Sequence, residues 1–197
     1  MTIEHPRIAK LLRRLRVASA SSRLPSEVDL RECCAPIANQ GRIATSSAQA
    51  SVSMVQYFER RSSGRLLRPS RLFVDYNAAR LSGLQGPCGV SLRACLKAMM
   101  RFGLPPERYW PYEEQRFRRE PGGFAYGFHR ALRSCLYVKL DHRKQSGDVT
   151  LRLVRSFLAA GFGCVCGFPL PATISSSPDI FFPVSREETR DGHAVFI

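Results

Sequence analysis

The stretch Ile37-Ala38-Asn39-Gln40-Gly41-Arg42-Ile43-Ala44-Thr45-Ser46-Ser47-Ala48-Gln49-Ala50 decides how this chain is read. Asn39-Gln40-Gly41 is a polar turn, since Asn and Gly tolerate backbone conformations that other residues avoid. It runs into the hydroxyl residues Thr45, Ser46 and Ser47, and a helical pattern opens behind them. Serine or threonine before an apolar-periodic run signals a helix N-terminus, because the side-chain oxygen can accept an orphan backbone N–H. The spacing predicts a helix over 46–61 with Ala50, Met54, Val55 and Phe58 on its buried stripe. Arg60-Arg61-Ser62-Ser63-Gly64 supplies the cations and glycine that suit its end. A helix N-terminus carries about half a positive charge, which favours negative charge developing at Ser46. Gln40, six residues upstream, can bring an amide N–H to the same place. On this stretch alone a plain capped helix after a loop is the simpler reading, and the rest of the chain has to decide.

The chain has 197 residues, enough for one domain or two small lobes sharing a cleft. No stretch reaches the 18 or so apolar residues of a membrane span. The N-terminus lacks the apolar core of a signal peptide, so the expected location is cytoplasmic or reached by signal-independent export. The net charge is +14, and lysine stands only at positions 10, 97, 139 and 144, which leaves 26 of the 30 basic residues as arginine. Such a surplus favours acidic partners such as nucleic acid or an anionic membrane. The arginines are scattered, however, without the aromatic interleaving of an RNA-binding motif. Seven cysteines in a core-rich chain read as reduced, buried thiols, not a disulfide scaffold. Neither Cys33-Cys34 nor Cys164/Cys166 has zinc-site spacing, so no metal and no cofactor are expected.

Residues 6–17 read as a short basic amphipathic helix and 18–25 as a small-residue linker. Leu24 to Arg31 looks like an extended entry into the main domain. Pro69 to Asn77 reads as a helix or turn, leading to the glycine-rich loop Gly83-Leu84-Gln85-Gly86-Pro87-Cys88-Gly89. Ser91 is placed to cap a helix over 92–102 that Gly103 ends. Residues 104–112, Leu-Pro-Pro-Glu-Arg-Tyr-Trp-Pro-Tyr, form an aromatic connector, and the charged run to Pro121-Gly122-Gly123 marks a boundary. Beyond it, 136–140 alternates like a strand, Asp148 is the expected cap of a helix running to Ala160, and 163–170 is an apolar strand ended by Pro169 and Pro171. The final residues, from His193 to Ile197, read as a buried strand opened by a histidine. The first half is thus mainly helical and the second richer in strand.

A helix start near Ser46 and a histidine opening a distant strand form a pair that only folding can join, as nucleophile and base catalysis does. In this order the chain resembles the papain-like cysteine peptidases. Leu24 to Arg31 looks like their mature N-terminal segment, Asn39-Gln40-Gly41 their oxyanion-hole turn, and Thr45-Ser46-Ser47-Ala48 the place of their serine–cysteine pair. Gly86 to Leu92 resembles their substrate-pairing glycine loop, 103–112 their inter-lobe segment, and Gly192-His193-Ala194-Val195 their catalytic-histidine strand. The resemblance covers the chain from Leu24 onward. It implies an α+β fold with a helical left lobe over 25–120 and a β-barrel-like right lobe over 121–197, after a basic N-terminal helix and linker over 1–24. It further implies a peptide or protein ligand in the cleft, with Gly86 and Gly89 on the peptide backbone. Ser46 would stand at the nucleophile position, His193 would be base and ion-pair partner, and Gln40 would serve the oxyanion hole.

Two departures qualify the expected activity. Serine occupies position 46, where the family has cysteine, and a hydroxyl is far less acidic than a thiol. Ala44 stands where glycine is common. The family's orienting asparagine would follow the histidine, and none follows His193 here, so the right lobe is expected to be incomplete. The chain as written is therefore expected to be inactive as a thiol peptidase. It is read as a natural pseudo-peptidase that binds peptide or protein, as an engineered form whose parent carries cysteine at 46, or as a slower serine acyl-transfer catalyst. A basic binder of nucleic acid or membrane surface is the remaining class.

Overall fold

The computed structural model describes residues 24–128, 137–142, 144–171 and 189–197. The sequence-expected basic helix over 6–17 and nearly all of the linker over 18–25 lie outside these residues. Four α-helices and two strands are described: α1 (Ser46–Ser63), α2 (Arg71–Ser82), α3 (Leu92–Phe102), α4 (Gly147–Ala159), β1 (Val165–Pro171) and β2 (Thr189–Phe196). Short 3-10 turns fill the connections at 31–33, 107–109, 114–116 and 123–128.

α1 is the axis of the molecule. It starts at Ser46, as its hydroxyl-rich leader predicts, and ends at Gly64, whose left-handed φ of 70° closes it. Its burial differs from the single expected stripe. Ala48, Ala50, Ser51, Val52 and Tyr57 are buried, while Met54, Val55 and Phe58 are half-buried. The cause is packing on more than one side: α2 and α3 lie against α1, and so does β2. Alanine and serine permit close approach of neighbouring backbones, whereas the larger side chains fill the gaps at the margins. Val55 packs on the core cluster, and Phe58 meets Phe162 at a ring distance of 5.9 Å.

α2 is almost wholly enclosed, from Leu72, Phe73 and Val74 through Ala78 and Ala79. A helix buried on most of its circumference belongs in the centre of a domain. Ser70 caps it by accepting the Phe73 N–H, and its own hydroxyl donates to the Trp110 carbonyl at 2.6 Å. The cap thereby also anchors the aromatic connector. α3 is capped by Ser91 and ended by Gly103, as expected, and buries Ala94, Cys95, Ala98 and Met99 on one face.

In the second half the cap of α4 is Ser146, which accepts the Val149 N–H, and not Asp148. Asp148 falls inside the first turn, where a carboxylate still favours the helix dipole. The expected strand over 136–140 is not formed by 137–140, which have no regular secondary structure. Val138 and Leu140 instead pack on Leu153 and Phe157 of α4, so alternation there marks an apolar strap. β1 and β2 pair antiparallel, Phe168 opposite His193 and Cys166 opposite Val195. Pro169 continues β1 opposite Gly192 instead of ending it. Proline fits a ladder where its missing N–H faces away from the partner. Ala194 is buried, and Phe196 meets Tyr57 of α1 at 5.4 Å. The Tyr57 hydroxyl donates to the Gly161 carbonyl at 2.8 Å, which ties the far end of α1 to the exit of α4.

One charge lies deep in the helical half. Asp75 of α2 is 1% exposed, and its nearest counter-charge, Arg118, stands 3.5 Å from Oδ2. Neither carboxylate oxygen has a hydrogen-bond partner. Desolvation therefore outweighs the guanidinium, and the Asp75 pKa is pushed up from 3.8 to about 6. A carboxyl raised on folding stabilises the protein fully below its unfolded pKa, and that contribution is lost as pH rises through about 6. It amounts to about 2–3 kcal/mol by linkage. Asp75→Asn is expected to remove this component of the pH dependence, so its stability relative to the parent improves between pH 4 and 7. Denaturant unfolding at the two pH values measures it, and parallel curves for parent and variant would refute it.

Candidate active site

The loop before α1 is shaped by hydrogen bonds of its own residues. Asn39 Oδ1 accepts the Gly41 N–H at 2.8 Å, and Gly41 takes the left-handed φ of 64° that makes glycine the fitting residue there. The Gln40 side-chain amide donates to the Ile43 carbonyl at 2.9 Å, which also accepts the Thr45 N–H at 2.9 Å. One N–H of the Gln40 amide is left over, because a primary amide has two.

Two distant residues, one at the end of the aromatic connector and one just beyond it, lock this loop. Tyr112 donates its hydroxyl proton to the Gln40 carbonyl at 2.7 Å. Its oxygen lies 2.6 Å from Thr45 Oγ1, and since its one proton is committed, Thr45 is the donor of that pair. Glu114 accepts the Arg42 N–H at 2.9 Å, and a Cβ added to Gly41 would stand 2.5 Å from the same carboxylate oxygen. Arg71 of α2 stacks on Tyr112, 4.1 Å from its ring centre, while pairing with Glu107 at 2.7 Å and donating to Gln49 of α1 at 3.1 Å.

Thr45 is the N-cap residue of α1, yet its side chain makes no capping bond. It is fully buried and bound to Tyr112. The first N–H groups of α1, at Ser46, Ser47 and Ala48, are thus uncapped by side chains, and Ser46 sits half-buried at the head of the helix. An uncapped, positively polarised helix end can stabilise an oxyanion.

The glycine-rich loop lies against the same turn. Gly89 approaches the Ala44 carbonyl, which would be 3.8 Å from a Cβ at that position. Gly86 has a φ of 84° and open space around it. His193 is half-buried on β2, with its ring 6.0 Å from that of Phe168 across the ladder. The structure thus brings Gln40, Ser46 and Gly89 together around one turn. It sets the strand of His193 on the helix of Ser46.

No family model matches the chain. A relative in Acanthamoeba polyphaga mimivirus, described as an uncharacterized peptidase C1-like protein, is 27% identical over 165 residues, covering 80% of this chain and 53% of the relative. The chain thus spans about half the length of that relative. Xylellain, a cysteine protease from Xylella fastidiosa, superposes with a TM-score of 0.69 at 25% identity, over 88% of this chain and 69% of that one. In sequence and in fold the chain is similar to papain-like cysteine peptidases. Digestive procathepsin L 3 of the Tenebrio molitor larval midgut shares the fold, with a TM-score of 0.62 at 17% identity, over 92% of this chain and 57% of that one.

The six described cysteines are unpaired. Burial pushes Cys95 strongly upward, Cys164 up to about 11, and Cys34 and Cys166 in the same direction, away from thiolate chemistry. Cys88 is exposed in the glycine-rich loop, its Sγ turned 3.5 Å from its own loop's Gln85 carbonyl. Among the described residues no group of three or more His, Cys, Asp or Glu is placed to hold a metal, and no helix is long and apolar enough to cross a membrane.

Sequence reading missed the tethers Tyr112, Glu114 and Arg71. The connector's aromatic run pointed to the region, but a contact 67 or 72 residues away leaves no local pattern. Tyr112→Phe removes a hydroxyl that satisfies two partly buried groups, and is expected to cost about 1–3 kcal/mol. Thr45→Val breaks the same chain, so the double variant should lose clearly less than the sum of the two singles. Denaturant unfolding of the four forms provides the cycle, and strict additivity would show that the hydroxyls are not coupled.

Proposed function

We propose that the cleft binds an extended peptide and that residue 46 governs whether it is cut. Peptide backbone would lie along Gly86 to Gly89. The Ser46 N–H and the remaining Gln40 amide N–H would face the polarised carbonyl oxygen, and His193 would serve as base. The observation that carries this reading is the helix start: Thr45 spends its hydroxyl on Tyr112 and leaves the N–H groups around Ser46 uncapped. Similarity to a peptidase C1-like protein and to the cysteine protease xylellain supports the substrate class.

With serine at the head of α1, the chain binds without ordinary thiol turnover. A thiolate–imidazolium pair forms because thiol and imidazole pKa values lie close together, and a hydroxyl lies far above both. Restoring the thiol supplies the missing nucleophile: sulfur attacks the carbonyl carbon, the oxyanion is held by the helix N–H and Gln40, and His193 protonates the leaving amine.

The test compares the protein as written with its Ser46→Cys variant, both within the full-length gene product. Both forms are expected to bind members of a panel of N-acetyl tripeptide aldehydes. The Ser46→Cys variant alone should be alkylated by a tripeptide chloromethyl ketone and hydrolyse casein, with His193→Ala in that background lowering the rate about 100-fold or more. Absence of aldehyde binding in both forms, together with no labelling of the thiol form, would overturn the proposal. Casein hydrolysis by the serine form would overturn its second half.

A further inference from the structure

Arg118 is the one non-glycine residue with positive φ among those described, at 61°. A left-handed backbone is disfavoured for a side chain of this size and persists only where the surroundings hold it. It turns the guanidinium inward to a position 16% exposed, against the Phe117 ring at 4.9 Å. There Nη1 faces both the Asp75 carboxylate, at 3.5 Å, and the Asp75 carbonyl, at 3.4 Å. Nη2 donates to the Cys88 carbonyl at 2.5 Å. One side chain therefore bridges buried α2 and the glycine-rich loop.

The loop has little else to hold it. Residues 81–89 are exposed, and Gly83 and Leu84 bond only to the end of α2. Among the described residues, Arg118 makes the one side-chain hydrogen bond that reaches residues 85–89 from outside the loop. Cys88 lies between Gly86 and Gly89, and Gly89 abuts the Ala44 carbonyl. The anchored carbonyl is thus next to the glycine that touches the turn before Ser46. Stability alone does not account for the pair. Both Asp75 oxygens and Arg118 Nε lack hydrogen-bond partners, and a buried pair so poorly satisfied contributes little to folding.

We propose that Arg118, held by Asp75, is the positioning residue of the glycine-rich loop, fixing the 85–89 backbone at the distance from Ser46 that an extended peptide needs. This rests on the peptide-binding reading above and adds the element that sets affinity in that cleft. Arginine is required because one planar fork reaches the carboxylate side and the Cys88 carbonyl together, which a single ammonium does not do.

Amide hydrogen exchange tests the clamp without reference to catalysis. In Arg118→Ala, exchange at 84–90 should accelerate about tenfold or more, with α1 and α3 protected as before. Asp75→Asn should give a smaller change in the same direction, and Arg118→Lys only partial rescue. These two also serve if Arg118→Ala does not fold. The tightest tripeptide aldehyde of the panel should bind Arg118→Ala about tenfold more weakly, because the unclamped loop must be ordered on binding. In the Ser46→Cys background, KM should rise while kcat changes less than about twofold. Unchanged exchange at 84–90 in a folded Arg118 variant would overturn the clamp. Faster exchange with undiminished aldehyde affinity would overturn its part in binding. Faster exchange where no aldehyde binds even the Arg118 form would leave the clamp standing and remove the peptide-binding reading.

Discussion

The hydroxyl of Tyr112 is the point on which the site depends. It accepts from Thr45 and donates to Gln40, so one oxygen holds both ends of the loop that precedes α1. The consequence reaches the helix itself. A threonine in the N-cap position ordinarily satisfies a backbone N–H, and here it is occupied elsewhere. The helix end keeps its uncapped donors, and the Thr45 hydroxyl is turned to a residue far along the chain. Arg71, stacked on the Tyr112 ring and paired with Glu107, in turn fixes the tyrosine. The site is thus built from outside, by the connector, more than by its own loop.

The same economy appears in the arginines. The charge of +14 reads as a solvated basic surface, yet several of these side chains work inside the structure. Arg60 donates to the Cys34 carbonyl at 2.8 Å, Arg61 to the Gly161 carbonyl, Arg71 to Gln49, and Arg118 to Cys88. Each bridges segments far apart in sequence, which suits a long side chain with five donors. A basic balance in this chain therefore says less about an acidic partner than its size suggests. Arginine here substitutes for the backbone pairing that exposed loops cannot make.

The departures from the sequence-based expectations share a cause. Alternation over 136–140 suggests a strand, but at 137–140 it serves an apolar strap on α4. A period of two describes any segment with one face buried, and a ladder also needs a neighbour with free hydrogen-bonding groups. The expected stripe on α1 missed Ala48, Ser51, Val52 and Tyr57 because a single-face model does not apply to a helix packed by other helices and by a strand. Asp148 and Ser146 are both acceptable caps, and only the actual start of α4 selects between them. Pro169 stays within β1 because its partner is on the side that asks for no N–H.

What the sequence determined by itself is what local chemistry controls. Hydroxyl residues before an apolar run cap α2 and α3, glycines after the last turn end α1, α2 and α3, and the ordered series from Asn39-Gln40-Gly41 to Gly192-His193 carries the likeness to the papain-like peptidases. The identity of residue 46 is likewise a matter of sequence, and it alone withholds a thiol from the head of α1. Tertiary structure decided which groups were free to act. That Thr45 is bound to Tyr112, that the Gln40 carbonyl is held by the same hydroxyl, that Arg118 reaches Cys88, and that Asp75 is driven toward its neutral form all depend on partners 30 to 72 residues away. Hydrogen bonds and desolvation act through space at a few ångströms, and a pattern read along the chain carries no record of which distant residues will arrive there.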